Sequence, residues 1–86
     1  MFQLEKLLKA LANKRRLAII KFLKQQREAT VTDIATAIKL SFKSTSRHLS
    51  ILSVADIVDK EQRKLHVYYS LTPKPTPSIK QILSMV

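Results

Sequence analysis

The apolar residues of this chain follow a helical spacing as far as about residue 53 and an alternating spacing after it. In the first segment they recur at intervals of three and four residues, at Leu4, Leu7, Leu8 and Leu11. Such intervals place side chains on one face of a helix. Three further segments, at about residues 14–25, 31–38 and 42–53, repeat this spacing. The chain is therefore predicted to begin with four amphipathic helices.

The sequence also predicts where these helices start and which side faces the core. Asn13, Thr30 and Ser41 can each cap the helix that follows, and Asp33 completes a capping box with Thr30. The segment 26–29 is predicted to be a loop. The positions expected to point inward in the second, third and fourth helices are Leu17, Ile20, Leu23, Val31, Ile34, Ala35, Ile38, Thr45, Leu49 and Leu52.

The alternating part of the sequence predicts a β-hairpin. A first strand should run from Ile57 to Glu61, and a second from Leu65 to Leu71, with residues 62–64 at the tip. In the second strand Leu65, Val67, Tyr69 and Leu71 should share one face. After three closely spaced prolines, Ile79, Ile82, Leu83 and Val86 predict a short last helix over about residues 78–86.

This order of elements predicts a mainly α fold with a small β-hairpin. Two short helices joined by a turn at 39–41 form a helix-turn-helix over about residues 31–53. The hairpin at about residues 57–71 then serves as a two-stranded wing. With 86 residues, the chain is expected to form a single winged helix-turn-helix domain over 1–86.

The charge of the chain favours a polyanionic partner. Sixteen Lys and Arg against six Asp and Glu give a formal net charge of +10. Nucleic acid is the commonest partner of so basic a small protein, while an acidic membrane surface or an acidic protein is the alternative. No apolar run is long enough to cross a bilayer, the first residues lack a signal-peptide pattern, and there is no cysteine. We therefore expect a cytoplasmic protein with no membrane partner.

The fourth helix is the candidate for reading DNA. In a helix-turn-helix the second helix enters the major groove with its first turns against the base edges. Its expected outward face contains no acidic residue, and the DNA-contacting side chains predicted there are Phe42, Lys43, Ser44, Ser46 and Arg47. Arg47 could bind a guanine with two hydrogen bonds, and Phe42 could touch a thymine methyl group. The alternative is an ordinary solvated polar face.

Two further basic groups are predicted to flank this helix. One lies at residues 14–16, where Arg16 is the expected DNA contact. The other is the wing tip, where Arg63 and Lys64 should protrude. Three basic clusters around one helix-turn-helix form the electrostatic footprint of a nucleic-acid-binding protein.

Three stretches of the sequence resemble the ArsR/SmtB-type repressors. Leu11–Ile20 resembles their opening signature, Ser46–Leu52 resembles their recognition-helix signature, and Val67–Leu71 resembles the end of their wing. The resemblance implies a winged helix that dimerises through its first and last helices and binds operator DNA, usually to repress transcription. It also implies that the side chains at the matching positions contact DNA: Lys43, Ser46 and Arg47. Arg16 matches the family's arginine at the start of the second helix.

The sequence departs from this family where its members bind metal. Val31–Ala35 stands in place of the Cys-x-Cys motif, and Ser78–Leu83 offers no Asp or His ligand on the last helix. His48 and His66 are the only histidines, and a lone histidine is more often packed or hydrogen-bonded than a ligand. No metal or other cofactor is expected. Family members also tend to have glycine where this chain has Lys39 and Asp56.

The first and last helices are predicted to form a homodimer interface through their apolar faces: Leu4, Leu7, Leu8, Ile79, Ile82 and Leu83. The proline-rich connector 73–77 is stiff, which argues against the tail folding back on its own body. The alternative is that the leucines of the first helix only cover the core of one chain. A two-fold dimer would prefer an inverted-repeat operator.

Other functions compete with DNA reading. There is no paired-carboxylate site, no Ser-His-Asp grouping and no glycine-rich phosphate loop, so an enzyme is not expected. The main rival is a winged-helix protein-interaction module with only non-specific affinity for nucleic acid. A second rival binds RNA, or reads a duplex by shape alone. The sequence preference of binding, together with its salt dependence, separates these functions.

Overall fold

Five helices and three strands make up the fold. The structure is a computed structural model that describes the backbone of residues 2–86 and the side chains of residues 4–86. Along the chain the elements are α1 (Phe2–Leu11), α2 (Lys14–Gln26), β1 (Glu28–Thr30), α3 (Val31–Ile38), α4 (Phe42–Val54), β2 (Val58–Arg63), β3 (His66–Leu71) and α5 (Pro77–Met85). The predicted order of four helices, a hairpin and a last helix is confirmed.

Side-chain caps start the helices where the sequence predicts them. The Asn13 side chain accepts hydrogen bonds from the backbone N–H groups of Arg15 and Arg16, at 2.9 and 3.1 Å. Thr30 and Asp33 form the predicted capping box of α3, and Ser41 accepts from the backbone of Ser44. These oxygens satisfy N–H groups that have no partner within the helix.

All five helices contribute to the core together with the inner face of the sheet. All three inward positions predicted for α4 are fully buried, as are Ile20 and Ile34. Leu17 of α2 was expected inward and is exposed, and Ile19 is buried in its place. The reason is that the buried stripe of α2 runs through Ile19, Ile20 and Leu23, with Arg16 partly buried at its start, and Leu17 points about 100° away from Arg16.

The sheet has one strand more than predicted. Residues 28–30, expected to be loop, form β1 and pair antiparallel with β3, so that the strand order is β1-β3-β2. Arg63 is the last residue of β2 and pairs with His66, which shortens the turn to Lys64 and Leu65. Leu65 was expected to begin the second strand and to share a face with Val67, but it lies in the turn and is 94 % exposed at the tip of the wing. A two-residue hairpin turn needs positive φ, and Lys64 supplies it with φ 56°.

Two left-handed residues stand where the family tends to have glycine. Lys39 ends α3 with φ 58° and ψ 50°, and Asp56 follows α4 with φ 60°. A side chain in this conformation costs about 1 kcal/mol or more. The turn of the helix-turn-helix is therefore built in this chain without the residue best suited to it.

The tail folds back on the body, contrary to the expectation from its prolines. Thr76 caps α5, and Ile79 is only 5 % exposed within the core. The Nζ group of Lys24 donates hydrogen bonds to the carbonyls of Leu83 and Val86 at the end of α5, at 2.8 and 3.1 Å. Because α5 packs against the core of its own chain, less of its apolar surface is available for contact with a second copy.

The six residues predicted to form a dimer interface consequently divide into two groups. Leu7 and Ile79 are buried in the core of their own chain, and Ile82 and Leu83 pack partly against it. An apolar stripe in a sequence does not reveal whether its own chain or a second copy covers it, and for Leu7 and Ile79 its own chain does. The exposed members are Leu4 and Leu8 on α1, at 44 % and 53 %.

Candidate nucleic-acid interface

The polar face of α4 is held outward by the burial of its other face. Thr45 is fully buried, and its hydroxyl donates to the Ser41 carbonyl at 2.8 Å, which satisfies it inside the core. Leu49 and Leu52 continue the buried side. The predicted outward residues lie opposite: Phe42, Lys43 and Arg47 are exposed, while Ser44 and Ser46 are partly exposed. No acidic residue occurs in α4, so this face is open to a phosphate backbone.

Arg16 joins three helices. Its Nε donates to the Ala10 carbonyl at 2.5 Å, and its Nη2 to the Lys9 carbonyl at 3.2 Å, both at the end of α1. Its Nη1 lies 3.2 Å from Nδ1 of His48 on α4. Each nitrogen of the guanidinium thus has a partner inside the chain. This geometry does not favour the DNA contact predicted for Arg16, and it makes the residue a positioning group for α4.

The contact with Arg16 determines the state of His48. An arginine can only donate, so Nδ1 of His48 must accept, and the proton of the neutral ring lies on Nε2. Burial lowers the pKa of His48 below its usual value, and the positive charges of Arg16, Arg15 and Arg47 lower it further. His48 is therefore a neutral acceptor between α2 and α4.

Acidification should destabilise the fold through His48. Near neutral pH the ring is neutral in both states. As the pH falls below the usual pKa of 6.5, the unfolded chain binds the proton before the folded chain does, so the free energy of unfolding decreases until the pH is below the lowered pKa. Urea denaturation at about pH 7.5 and at about pH 5 measures this loss.

Two substitutions test whether His48 is the cause. His48→Gln should reduce the loss of stability between the two pH values, because an amide accepts a hydrogen bond without titrating. His66→Gln should leave that loss in place, because His66 lies on β3 and has no contact with Arg16. Equal losses in wild type and His48→Gln would contradict the assignment.

Arg63 braces the wing, although its side chain is also partly exposed to solvent. Its guanidinium forms ion pairs with Glu28 on β1 and with Glu61 on its own strand. It also lies over the ring of Tyr68, 4.0 Å from the centroid. The hydrogen bond to Glu28 raises the pKa of Arg63 above its ordinary value. The DNA contact predicted for Arg63 is not favoured by this geometry, because acidic neighbours already neutralise its charge; Lys64 remains exposed beside it.

The start of α4 and the wing share one surface. A groove of about 500 Å³ lies between them, and its lining includes Phe42 from α4, Thr30 and Val31 from the start of α3, and Lys60, Leu65 and His66 from the wing. The fold thus brings the predicted reading helix and the wing tip together. Arg16 and Arg63, which were predicted to join them, are held in contacts within the chain.

Arg15 is a basic residue that is not among the predicted DNA contacts. It is exposed, and its charge is close enough to α4 to lower the pKa of His48. Successive residues of a helix point about 100° apart, so a neighbour of the tied Arg16 can face solvent. Helical spacing within 14–16 could have separated these two roles.

Metal and membrane sites are not apparent in the described part of the chain. Among these residues no three His, Cys, Asp or Glu side chains lie together where they could hold a metal ion. No described helix combines the length and the apolar composition that crossing a bilayer requires.

A helix-turn-helix followed by a braced hairpin, with a basic and acid-free face on its second helix, defines the winged helix-turn-helix class of proteins. The model of the bacterial regulatory proteins of the arsR family matches residues 13–60, which is more than half of the chain. The chain belongs to this family. Its metal-binding motifs are absent from this sequence at the places noted above.

Solved structures of similar proteins agree with this fold. The homodimeric winged helix-turn-helix DNA-binding domain of Mb0332 from Mycobacterium bovis is 29% identical, with a TM-score of 0.82 over 96% of this chain and 73% of that one. NolR from Sinorhizobium fredii is 31% identical, with a TM-score of 0.82 over 96% and 79%. The transcriptional repressor PagR of Bacillus anthracis is 26% identical, with a TM-score of 0.80 over 96% and 91%.

Proposed function

We propose that this chain is a sequence-specific double-stranded-DNA-binding transcriptional repressor that acts as a homodimer on an inverted-repeat operator. The observation that carries the proposal is the outward face of α4, which is basic, free of acidic residues and fixed by the burial of Thr45, Leu49 and Leu52. The Mb0332 domain is a homodimeric DNA-binding domain and PagR is a transcriptional repressor, which supports both parts of the proposal.

In the proposed complex α4 lies in the major groove. Arg47 binds a guanine edge, and Lys43 and Ser46 bind bases or neighbouring phosphates. Lys64, on the wing tip, binds a phosphate of the same duplex. The net charge of +10 draws the protein to DNA from a distance, and occupation of the operator represses the gene. A bacterial regulator of this kind acts in the cytoplasm, where the DNA is.

Selection of bound sequences from a random duplex pool tests this function. A reader of operators enriches one sequence, with two half-sites about one helical turn apart, and loses affinity steeply with salt while keeping its preference. A protein-interaction module would bind DNA weakly and enrich nothing. An RNA-binding protein would prefer a single-stranded or duplex RNA competitor over the enriched DNA.

The homodimer has its own test at the exposed leucines of α1. In a two-fold interface every substitution occurs twice, so Leu8→Glu should place two unpaired carboxylates in an apolar contact. We expect a dimer for the wild type and a monomer for Leu8→Glu in sedimentation equilibrium. Because Leu8 is half exposed, circular dichroism should show an intact fold.

The matched control is Leu65→Glu, which puts the same charge on an exposed leucine of the wing. It should remain a dimer. A wild-type protein that sediments as a monomer at tens of micromolar, a range typical of such measurements, would contradict the dimer. A Leu8→Glu protein that stays dimeric would show that another surface forms the interface.

A further inference from the structure

The tip of the wing carries an apolar side chain without cover. Leu65 is 94 % exposed, the largest exposure among the large hydrophobic residues that the structure describes. It follows Lys64 in a two-residue turn, so the outermost part of the wing consists of one cation and one branched aliphatic group. A leucine at this position adds nothing to the stability of its own fold, because it contacts almost nothing there.

The strands behind Leu65 are fixed. Arg63 ties β2 to β1 through Glu28 and stacks on Tyr68 of β3, and the rings of His66 and Tyr68 meet edge to face with centroids 6.3 Å apart. Because these contacts cross all three strands, the hairpin presents Leu65 in a defined place. A held apolar group loses little conformational entropy when it binds, which favours its use as a contact.

Leu65 also lies on the same surface as the proposed reading helix. It lines the same groove as Phe42 of α4. If α4 occupies a major groove, one backbone strand passes between the helix and the wing, and the wing tip meets the neighbouring minor groove. Lys60 and His66 line the intervening groove, where a phosphate strand would pass.

We propose that Leu65 is a minor-groove wedge that enters beside the α4 site and partly separates two stacked base pairs, while Lys64 binds the adjacent phosphate. The proposal rests on the proposed DNA-reading function. Apolar side chains that enter the minor groove commonly unstack one base step and kink the duplex. Pyrimidine–purine steps such as TA and CA deform most easily, so Leu65 would select such a step without hydrogen-bonding to it.

The experiment uses the full chain and the duplex enriched from the random pool, with 2-aminopurine placed in turn at each adenine under the wing. With saturating wild-type protein, the fluorescence of one probe should rise as its base unstacks. Leu65→Ala should abolish this rise, lower affinity for the duplex roughly tenfold and keep the salt slope. Leu65→Met should preserve the rise, because its side chain is also long and apolar.

Lys64→Ala is the matched control from the same turn. It should weaken binding to all duplexes and reduce the salt slope by about 1, yet keep the fluorescence rise at saturation. A rise that is equal in wild type and Leu65→Ala, or absent in both on a duplex that is bound specifically, overturns the wedge alone. A wild-type protein that enriches no sequence overturns the proposed function, and the wedge with it.

Discussion

Arg16→Ala should lower the free energy of unfolding by about 3 kcal/mol, because hydrogen bonds from a charged group contribute about 1.5–3 kcal/mol each and one substitution removes three. Three such bonds would add to about 4.5 kcal/mol or more, and partial exposure of the guanidinium together with relief of repulsion from neighbouring cations brings the expected loss below that sum. For a chain of this size, the melting temperature should fall by roughly 10–25 °C. Urea denaturation near neutral pH measures the change.

Arg15→Ala is the control for this prediction. It removes the same charge from the adjacent position, but the Arg15 side chain is exposed and donates no hydrogen bond. Its effect should stay within about 0.5 kcal/mol. Arg16→Lys should recover only part of the loss, since a single ammonium group cannot reproduce a planar fork that meets two carbonyls and an imidazole. Equal stability of Arg16→Ala and Arg15→Ala would contradict the role of Arg16.

Local signals in the sequence predicted much of this fold. A cap depends on residues three positions apart, so Thr30 with Asp33 and Ser41 with Ser44 could be read directly. The inward side of α4 followed from spacing, because that helix buries one narrow face through Thr45, Leu49 and Leu52. The outward face of α4, which we assign to DNA, could be predicted for the same reason, because it lies opposite the buried face.

The features that were missed depend on contacts between distant parts of the chain. β1 has three residues, too few for alternation to show, and it is a strand because β3 pairs with it about 40 positions later. That pairing brings Glu28 within reach of Arg63, so the guanidinium forms an ion pair within the chain. In the same way, the sequence does not show the partners of Arg16, because they lie on α1 and α4, and only the fold brings those helices next to α2. The sequence shows which residues are positively charged, but only the fold shows which of them already have hydrogen bonds or ion pairs within the chain.

The side chain of Arg47 is exposed and is not held by contacts like those of Arg16 and Arg63. Its replacement should therefore have the largest effect on recognition. Arg47→Ala should weaken binding to the enriched duplex by about 1–3 kcal/mol, or roughly 5- to 150-fold, and relax the preference at one base pair. The physical reason is that a bidentate arginine recognises one guanine edge, while phosphate contacts carry no sequence information. Competition between the enriched duplex and single-base variants measures both quantities.

Arg47→Lys separates charge from recognition at this position. Lysine keeps the attraction to phosphate, so the salt slope should stay near that of the wild type, but it lacks the planar fork and should not restore the preference. Lys64→Ala should give the converse result, a weaker affinity for every duplex with the preference intact. If Arg47→Ala binds the enriched duplex and its variants as the wild type does, α4 is not the reading helix, because the one arginine on its outward face would then contribute nothing to the choice of sequence.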